Sequence, residues 1–253
     1  AEAFVKTVQK YGGVITLQDL ENYEVKVREP VTSTYRGYKL LSAPPASSGG
    51  THLIEILNIL ENFDIGALEV NSAPYLHLFS EAFKLAFADR SRYMADTDFQ
   101  EVPLKGLTSK EYAKLLSESI DPEAPKTYEA GDPTAYESGS TTHLSIADKA
   151  GNMVAVTKTI NYFWGSKIAI PDYGFIANDE MDDFVPGTES VNRVEGGKRP
   201  LSSMTPTVVL TPEGKPFMTV GSPGGTRIFP TVSQVISRVI DHGMTIQEAI
   251  DAP

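Results

Sequence analysis

Residues 141–161 read TTHLSIADKAGNMVAVTKTIN, the clearest hairpin pattern in the sequence. Apolar and polar residues alternate on both sides of residues 148–152, a pattern typical of two antiparallel strands joined by a tight turn. In such a pair, residues 141–143 lie opposite residues 157–161, so two threonine-rich segments meet at the open end. The sequence therefore predicts a β hairpin with a polar end.

The part of the chain before this hairpin is predicted to be mostly helical. Apolar periodicity and capping signals predict helices at residues 4–11, 16–23, 51–63 and 73–94, and from 108 onward. The last of these would begin with a capping box formed by Thr108 and Glu111. Two β segments, at residues 23–30 and 34–41, are predicted between the second and third helices. Residues 121–140 have prolines and glycines but no apolar period, which predicts an exposed linker.

After the hairpin, further strands are predicted at residues 207–210 and 217–220, and a helix at 230–242. The order is thus helices, linker, strands and a final helix. At its start and its end the chain lies within or directly after a predicted helix. We therefore expect it to be part of a longer polypeptide.

The composition is that of a globular domain. Of the 253 residues, 41% are apolar, and 22 basic residues against 33 acidic ones give a formal charge of -11. This negative charge makes nucleic acid an unfavourable partner. The absence of cysteine excludes thiolate catalysis and disulfides, and no apolar stretch reaches the roughly 18–20 residues of a membrane span.

Common hydrolase and nucleotide-binding motifs are not found. The four histidines, His52, His77, His143 and His242, lack the spacing of a zinc site. No serine lies in a Gly-x-Ser-x-Gly motif, and neither Gly-x-Gly-x-x-Gly nor Gly-Lys-Ser/Thr occurs. The polar end of the hairpin is the remaining candidate for catalysis.

Thr141 can act as a nucleophile under one condition. If the peptide bond before it is cleaved, the freed α-amino group can accept the proton of its own hydroxyl. Such an amine titrates at about pH 7.7–8 in model peptides, which suits a general base. The alternative is an ordinary threonine-rich strand edge, and spacing alone favours that alternative.

Two further segments carry groups that could take part in binding or catalysis. Residues 178–184 (NDEMDDF) carry four carboxylates that could hold an ammonium group, although acidic turns are commonly just solvated. Residues 221–226 (GSPGGT) lie between a predicted strand and a predicted helix, where backbone N–H groups could bind an oxyanion. Each pattern is weak on its own, because such turns also need glycine for conformational reasons.

Together these segments closely resemble the γ-glutamyltranspeptidase family in order and spacing. The matching motifs of the second half are residues 141–146, Asp148 with Gly151 and Asn152, and residues 157–161, 178–184, 198–207 (KRPLSSMTPT) and 221–226. Residues 12–16 with Asp19 and Leu20, Pro44 with Pro45, and residues 47–50 extend the resemblance into the first half.

The resemblance implies an α+β fold, an αββα sandwich of the N-terminal nucleophile hydrolase type with two stacked antiparallel sheets between helical layers. It further implies a precursor that cleaves itself between Ser140 and Thr141. Residues 1–140 would then be the C-terminal part of the large-subunit region. Residues 141–253 would be the small-subunit region, truncated at its C-terminus, and both would remain associated in one structural domain.

The implied chemistry is acyl transfer without a metal ion or cofactor. Thr141 would attack a γ-glutamyl amide such as that of glutathione, and water or an amino-acid or peptide amine would accept the acyl group. By position, the implied roles are nucleophile for Thr141, its orientation for Thr159, the oxyanion hole for Gly224 and Gly225, the substrate ammonium for Asn161, Glu180 and Asp183, and its carboxylate for Ser202 and Ser203.

The sequence departs from the family pattern in three respects. Trp164 and Lys167 stand where the family usually has a phenylalanine and a smaller residue. The arginine that binds the carboxylate in the family belongs to an upstream segment absent from this sequence, and no arginine here lies in that motif. The loop at residues 185–197 is shorter than the family's lid, which implies a more open pocket.

Three alternatives to a γ-glutamyl transferase or hydrolase remain. A related acylase would act on glutaryl or cephalosporin side chains, although the ammonium-binding residues favour γ-glutamyl donors. A poly-γ-glutamate depolymerase would suit the shorter loop, and an unprocessed homologue would only bind γ-glutamyl ligands. Export to the periplasm or the cell exterior is expected from the resemblance alone.

Overall fold

A four-stranded antiparallel sheet forms the centre of the structure, a computed structural model that describes residues 1–128, 141–187 and 189–253. The strands follow the order β1, β2, β7 and β8. Their bounds are Val31–Tyr35 for β1, Tyr38–Ser42 for β2, Thr207–Leu210 for β7 and Pro216–Val220 for β8. The sheet thus joins strands from both halves of the chain.

The predicted hairpin is confirmed and stacks on this sheet. Strands β3 (Thr141–Ala147) and β4 (Met153–Thr159) pair along their whole length, and β4 contacts both β7 and β8. The Ser145 hydroxyl donates to the Thr219 carbonyl oxygen of β8 at 3.0 Å. A small pair, β5 (Ala169–Ile170) with β6 (Phe175–Ile176), follows the hairpin. The predicted α+β fold with two stacked antiparallel sheets is therefore confirmed.

The described residues form eight α helices, some of which cover the opposite face of the four-stranded sheet. Their bounds are Glu2–Lys10 for α1, Leu17–Asn22 for α2, Gly49–Leu60 for α3, Ala73–Tyr93 for α4, Leu104–Leu107 for α5, Lys110–Glu118 for α6, Ile228–His242 for α7 and Ile246–Asp251 for α8. Every residue of α3 is buried, because it contacts β1 and β2 on one side and α4, α6 and α7 on the others. The core therefore lies between the sheet and α3, α4 and α7.

The two faces of β8 follow the alternation of a strand. Val220 is 7% exposed and belongs to the core beside the helices, whereas the side chain of the neighbouring Thr219 reaches the hairpin, where its hydroxyl donates to the Val154 carbonyl oxygen at 3.4 Å. This alternation fixes the hairpin on the side of the sheet away from α3. Among the described residues, no helix has both the length and the apolar composition needed to cross a bilayer.

Three local predictions were wrong. The single β segment predicted at residues 34–41 is parts of two paired strands, because a turn at Arg36 and Gly37 separates β1 from β2. Residues 23–30 form no strand, because Val25 and Val27 are 82% and 97% exposed and the first strand begins only at Val31. Helix α6 begins after Ser109, whose hydroxyl accepts from the Tyr112 N–H at 3.1 Å. Thr108 instead donates its hydroxyl to the Leu104 carbonyl oxygen at 2.8 Å, since it ends α5.

Other predictions agree with the structure or lie outside its described part. The helices predicted at residues 16–23, 51–63, 73–94 and 230–242 are present with shifts of a few residues. Most of the predicted linker, residues 129–140, lies outside the described residues, and Ser140 with it. The division into subunit regions at residue 140 therefore stays a prediction.

Candidate active site

Thr141 and Thr159 face each other at the open end of the hairpin. The Thr141 hydroxyl donates to Thr159 Oγ1 at 3.2 Å, and the two residues are direct partners in the strand register. Thr159 Oγ1 also accepts the backbone N–H of Asn161 at 2.9 Å. The Thr159 hydroxyl is thereby fixed from one side and holds the Thr141 hydroxyl from the other.

Both threonines line a cavity of about 800 Å³. Its walls come from α4, the hairpin end, the acidic segment, the segment before β7 and the start of α7. Seven of the nine predicted site residues lie on these walls: Thr141, Thr159, Asn161, Asp183, Ser202, Ser203 and Gly225. Glu180 and Gly224 do not line the cavity and are direct neighbours of residues that do. The folded chain thus brings the predicted residues together.

The acidic segment is coupled to the end of β4. Residues Glu180–Asp183 form a short 3₁₀ turn, and Asp179 just before it accepts the Tyr162 N–H through its carboxylate at 3.0 Å. Asn161 has a left-handed backbone with φ 70°, a conformation that asparagine adopts more readily than most residues. This bend directs the chain from β4 toward the acidic turn.

The two predicted ammonium-binding carboxylates are only partly solvated. Burial, reinforced by the charges of Asp183 and Asp179, raises the pKa of Glu180 to about 7. Burial also raises the pKa of Asp183 to about 6, even though the positive charge of Arg90 acts in the opposite direction. Both groups therefore change charge near neutral pH and would gain from a cation beside them.

Arg90 is a site residue that sequence reasoning missed. It lies in the last turn of α4 and lines the cavity, where its guanidinium donates to Ser203 Oγ at 3.1 Å and to Ser48 Oγ at 2.9 Å. Ser203 is 113 positions away in sequence, and no local motif marks an arginine in such a helix. The predicted carboxylate-binding serines therefore have an arginine beside them.

His143 connects the hairpin to the glycine-rich segment. Since the Ser145 hydroxyl donates to the Thr219 carbonyl oxygen, it accepts from His143 Nε2 at 3.0 Å, and His143 Nδ1 then accepts from Thr157 at 2.8 Å. Burial lowers the pKa of His143, which favours this neutral ring. A Cβ atom on Gly221 would lie 2.3 Å from the ring, so the imidazole lies directly on this glycine.

Gly221→Ala is expected to lower the free energy of unfolding by about 1–3 kcal/mol, because the added methyl group displaces the His143 ring. Thermal unfolding measures this effect. Gly196→Ala is the matched control, since no heavy atom lies within 4 Å of its Cβ position. Equal stability of the two variants would contradict the proposed contact.

The stacked antiparallel sheets and the helical layer beside them agree with the fold of the N-terminal nucleophile hydrolases, and the threonine-lined cavity lies where strand β3 begins. The family model described as gamma-glutamyltranspeptidase matches residues 1–253. The chain belongs to the γ-glutamyltranspeptidase family.

Individual relatives support this assignment. The glutathione hydrolase proenzyme of Escherichia coli K12 is 45% identical over 266 residues, an alignment that covers 100% of this chain and 46% of the relative. The acylase ACY 1 proenzyme of Pseudomonas sp. SE83 is 43% identical over 242 residues, covering 96% and 43%. The crystal structure of cephalosporin acylase from Bacillus halodurans has a TM-score of 0.88 at 30% identity, covering 100% and 45%. The chain spans less than half the length of these relatives.

Proposed function

We propose that the full-length protein is a γ-glutamyl hydrolase or transferase that uses Thr141 as an N-terminal nucleophile. The observation that carries this proposal is the Thr141–Thr159 hydroxyl pair, 3.2 Å apart, on the wall of a cavity that also holds Asp183 and Ser203. A nucleophile, a cation-binding group and an anion-binding group around one cavity suit a substrate with an amide and a zwitterionic end.

Maturation would precede catalysis. The Thr141 hydroxyl would attack the carbonyl carbon of Ser140, and the C–N bond between them would break to give an ester and a free Thr141 amine. Water would then hydrolyse this ester and release the Ser140 carboxylate. The amine so formed supplies the base that the threonine hydroxyl lacks in the uncleaved chain.

The two products of this cleavage are expected to remain associated. Strand β2 precedes the cut and pairs with β7 after it, so the central sheet joins both fragments through backbone hydrogen bonds. Helix α3 likewise packs against α7. Separation would expose the core between the sheet and the helices, which the hydrophobic effect opposes.

Recognition of the γ-glutamyl group would use both charges of its α-carbon. Asn161, Glu180 and Asp183 would hold the ammonium group, while Ser202 and Ser203, with Arg90 behind them, would hold the carboxylate. Both contacts are needed, because a charge that enters the cavity without a partner loses its hydration without compensation.

Catalysis would then proceed through an acyl-enzyme. The Thr141 oxygen attacks the γ-carbonyl carbon, its proton passes to the Thr141 amine, and the backbone N–H groups of Gly224 and Gly225 stabilise the oxyanion. The amine returns the proton to the leaving nitrogen as the C–N bond breaks. Water or an acceptor amine finally releases the γ-glutamyl group from the ester.

The second candidate is an acylase for glutaryl-type amides. It is favoured by the acylase ACY 1 proenzyme and cephalosporin acylase among the relatives. Glutaryl groups lack the α-ammonium, so they would leave Glu180 and Asp183 without a cation. The carboxylates near the cavity therefore favour γ-glutamyl donors.

Comparison of γ-glutamyl and glutaryl anilides tests this choice. We expect a higher kcat/KM for the γ-glutamyl anilide, and we expect the ratio of the two values to fall between pH 8 and pH 5. Protonation of Glu180 and Asp183, with pKa values of about 7 and about 6, removes the negative charge that binds the ammonium group. Protonation of the Thr141 amine lowers kcat/KM for both donors alike, so it does not change the ratio. Equal rates, or a ratio independent of pH, would contradict γ-glutamyl recognition.

A further inference from the structure

Asn192 links two segments of the cavity wall. Its side chain is buried, and the residue is 5% exposed and lines the cavity. The amide Nδ2 donates to the Asp183 carbonyl oxygen at 2.7 Å, and Oδ1 accepts the Leu201 N–H at 3.1 Å. One planar amide therefore spans the distance between the acidic turn and the segment that precedes Ser202.

The segment around Asn192 is itself anchored. The Asn192 carbonyl oxygen accepts the Val185 N–H at 3.0 Å, just after the acidic turn. The side chain of Lys198, which is 8% exposed as a residue, donates to the Val191 carbonyl oxygen at 2.7 Å. Hydrogen bonds on both sides of Asn192 thus restrict its movement relative to either wall of the cavity.

We propose that Asn192 is a positioning residue that sets the spacing between the ammonium-binding and carboxylate-binding sides of the cavity. This inference rests on the proposed γ-glutamyl function. The two charges of the substrate sit on one carbon atom, so their separation is fixed. A cavity that binds both must hold Asp183 and Ser202 at a matching distance.

Asparagine is suited to this position because it has a donor and an acceptor on one rigid group. Aspartate has nearly the same shape but has no donor, so its carboxylate would face the Asp183 carbonyl oxygen. Serine is too short to span both partners, and it would leave a buried carbonyl and a buried N–H without their hydrogen bonds.

Asn192→Asp and Asn192→Ser in the full-length enzyme test this role. For each variant, kcat/KM of the γ-glutamyl anilide is expected to fall about 10- to 100-fold, mainly through KM, while that of the glutaryl anilide falls less than about threefold. The glutaryl donor lacks the ammonium group and does not depend on the spacing. Inhibition by glutamate should weaken more than inhibition by glutarate.

Asn58→Asp is the matched control. Asn58 is 1% exposed and also bridges two partners, since its amide donates to the Thr108 carbonyl oxygen at 2.9 Å and its Oδ1 accepts from Ser33 at 3.4 Å. It does not line the cavity. We therefore expect lower thermal stability in this variant and an unchanged ratio between the two donors.

An equal loss for both donors in the Asn192 variants would reduce Asn192 to a structural residue and overturn the proposal. Asn192 variants with wild-type kcat/KM for both donors would overturn it as well. A wild-type enzyme without preference for the γ-glutamyl donor would instead contradict the proposed function itself. The wild-type ratio therefore separates failure of this inference from failure of the function on which it rests.

Discussion

Thr141→Ala is expected to lower acyl transfer by about 10⁴-fold or more, because the variant has no hydroxyl to form the acyl-enzyme. Initial rates with a γ-glutamyl anilide measure the loss. Thr141→Ser is the control, since it keeps the hydroxyl group and should retain measurable turnover. The Thr141 side chain is partly exposed at the cavity, so neither change should unfold the protein.

The Thr141→Ala variant also tests whether a neighbouring hydroxyl group could act as the nucleophile. If Thr141→Ala kept a substantial rate, another hydroxyl at the cavity would have to carry the reaction. Trapping of an acyl group on wild-type Thr141 by rapid quenching and peptide mass spectrometry would support the assignment. An acyl group found on Thr159 or Ser203 would contradict it.

Arg90→Met is expected to lower kcat/KM for γ-glutamyl donors by about 10²- to 10³-fold, which corresponds to about 3–4 kcal/mol of transition-state binding. The variant removes the positive charge beside Ser203 and both donors that reach Ser203 and Ser48. It also removes the charge that lowers the pKa of Asp183. Asp183 should therefore become protonated at a higher pH, and the preference for γ-glutamyl donors should be lost at a higher pH than in the wild type.

Arg92→Met provides the control for Arg90. Arg92 lies two residues further along the same helix, is exposed, and stacks over the Tyr93 ring at 5.2 Å. Its replacement should leave kcat/KM within about threefold, because exposed charges contribute little. Similar losses in both variants would show that Arg90 supports the helix and has no particular role at the cavity.

The part of the fold that could be predicted is the part with a strong local pattern. The alternation in residues 141–161 determines the hairpin, and the apolar face of residues 230–242 determines α7. The strand predicted at residues 23–30 was wrong, because alternating residues form a strand only where a partner strand lies beside them. The valines of this segment are exposed, and the tertiary structure places no partner strand beside them among the described residues.

The candidate site likewise contains residues that sequence motifs indicate and residues that they do not. The places of Thr141, Asn161 and Asp183 at the cavity could be predicted, because each belongs to a short motif that resembles the family. Those of Arg90 and Asn192 could not, because their proposed functions depend on side-chain contacts with partners distant in sequence or on other loops. Sequence motifs identify the groups that would touch substrate, whereas the groups that fix their spacing become visible only in the folded chain.

Cleavage before Thr141 is the event on which the proposed chemistry depends, because it creates the base for the Thr141 hydroxyl. Intact-mass measurement with N-terminal sequencing of the active full-length protein tests it directly. We expect two associated fragments, the smaller one beginning at Thr141, and one continuous chain for Thr141→Ala. An active wild-type enzyme with an unbroken Ser140–Thr141 bond, or a cleaved Thr141→Ala variant, would contradict Thr141 as an N-terminal nucleophile.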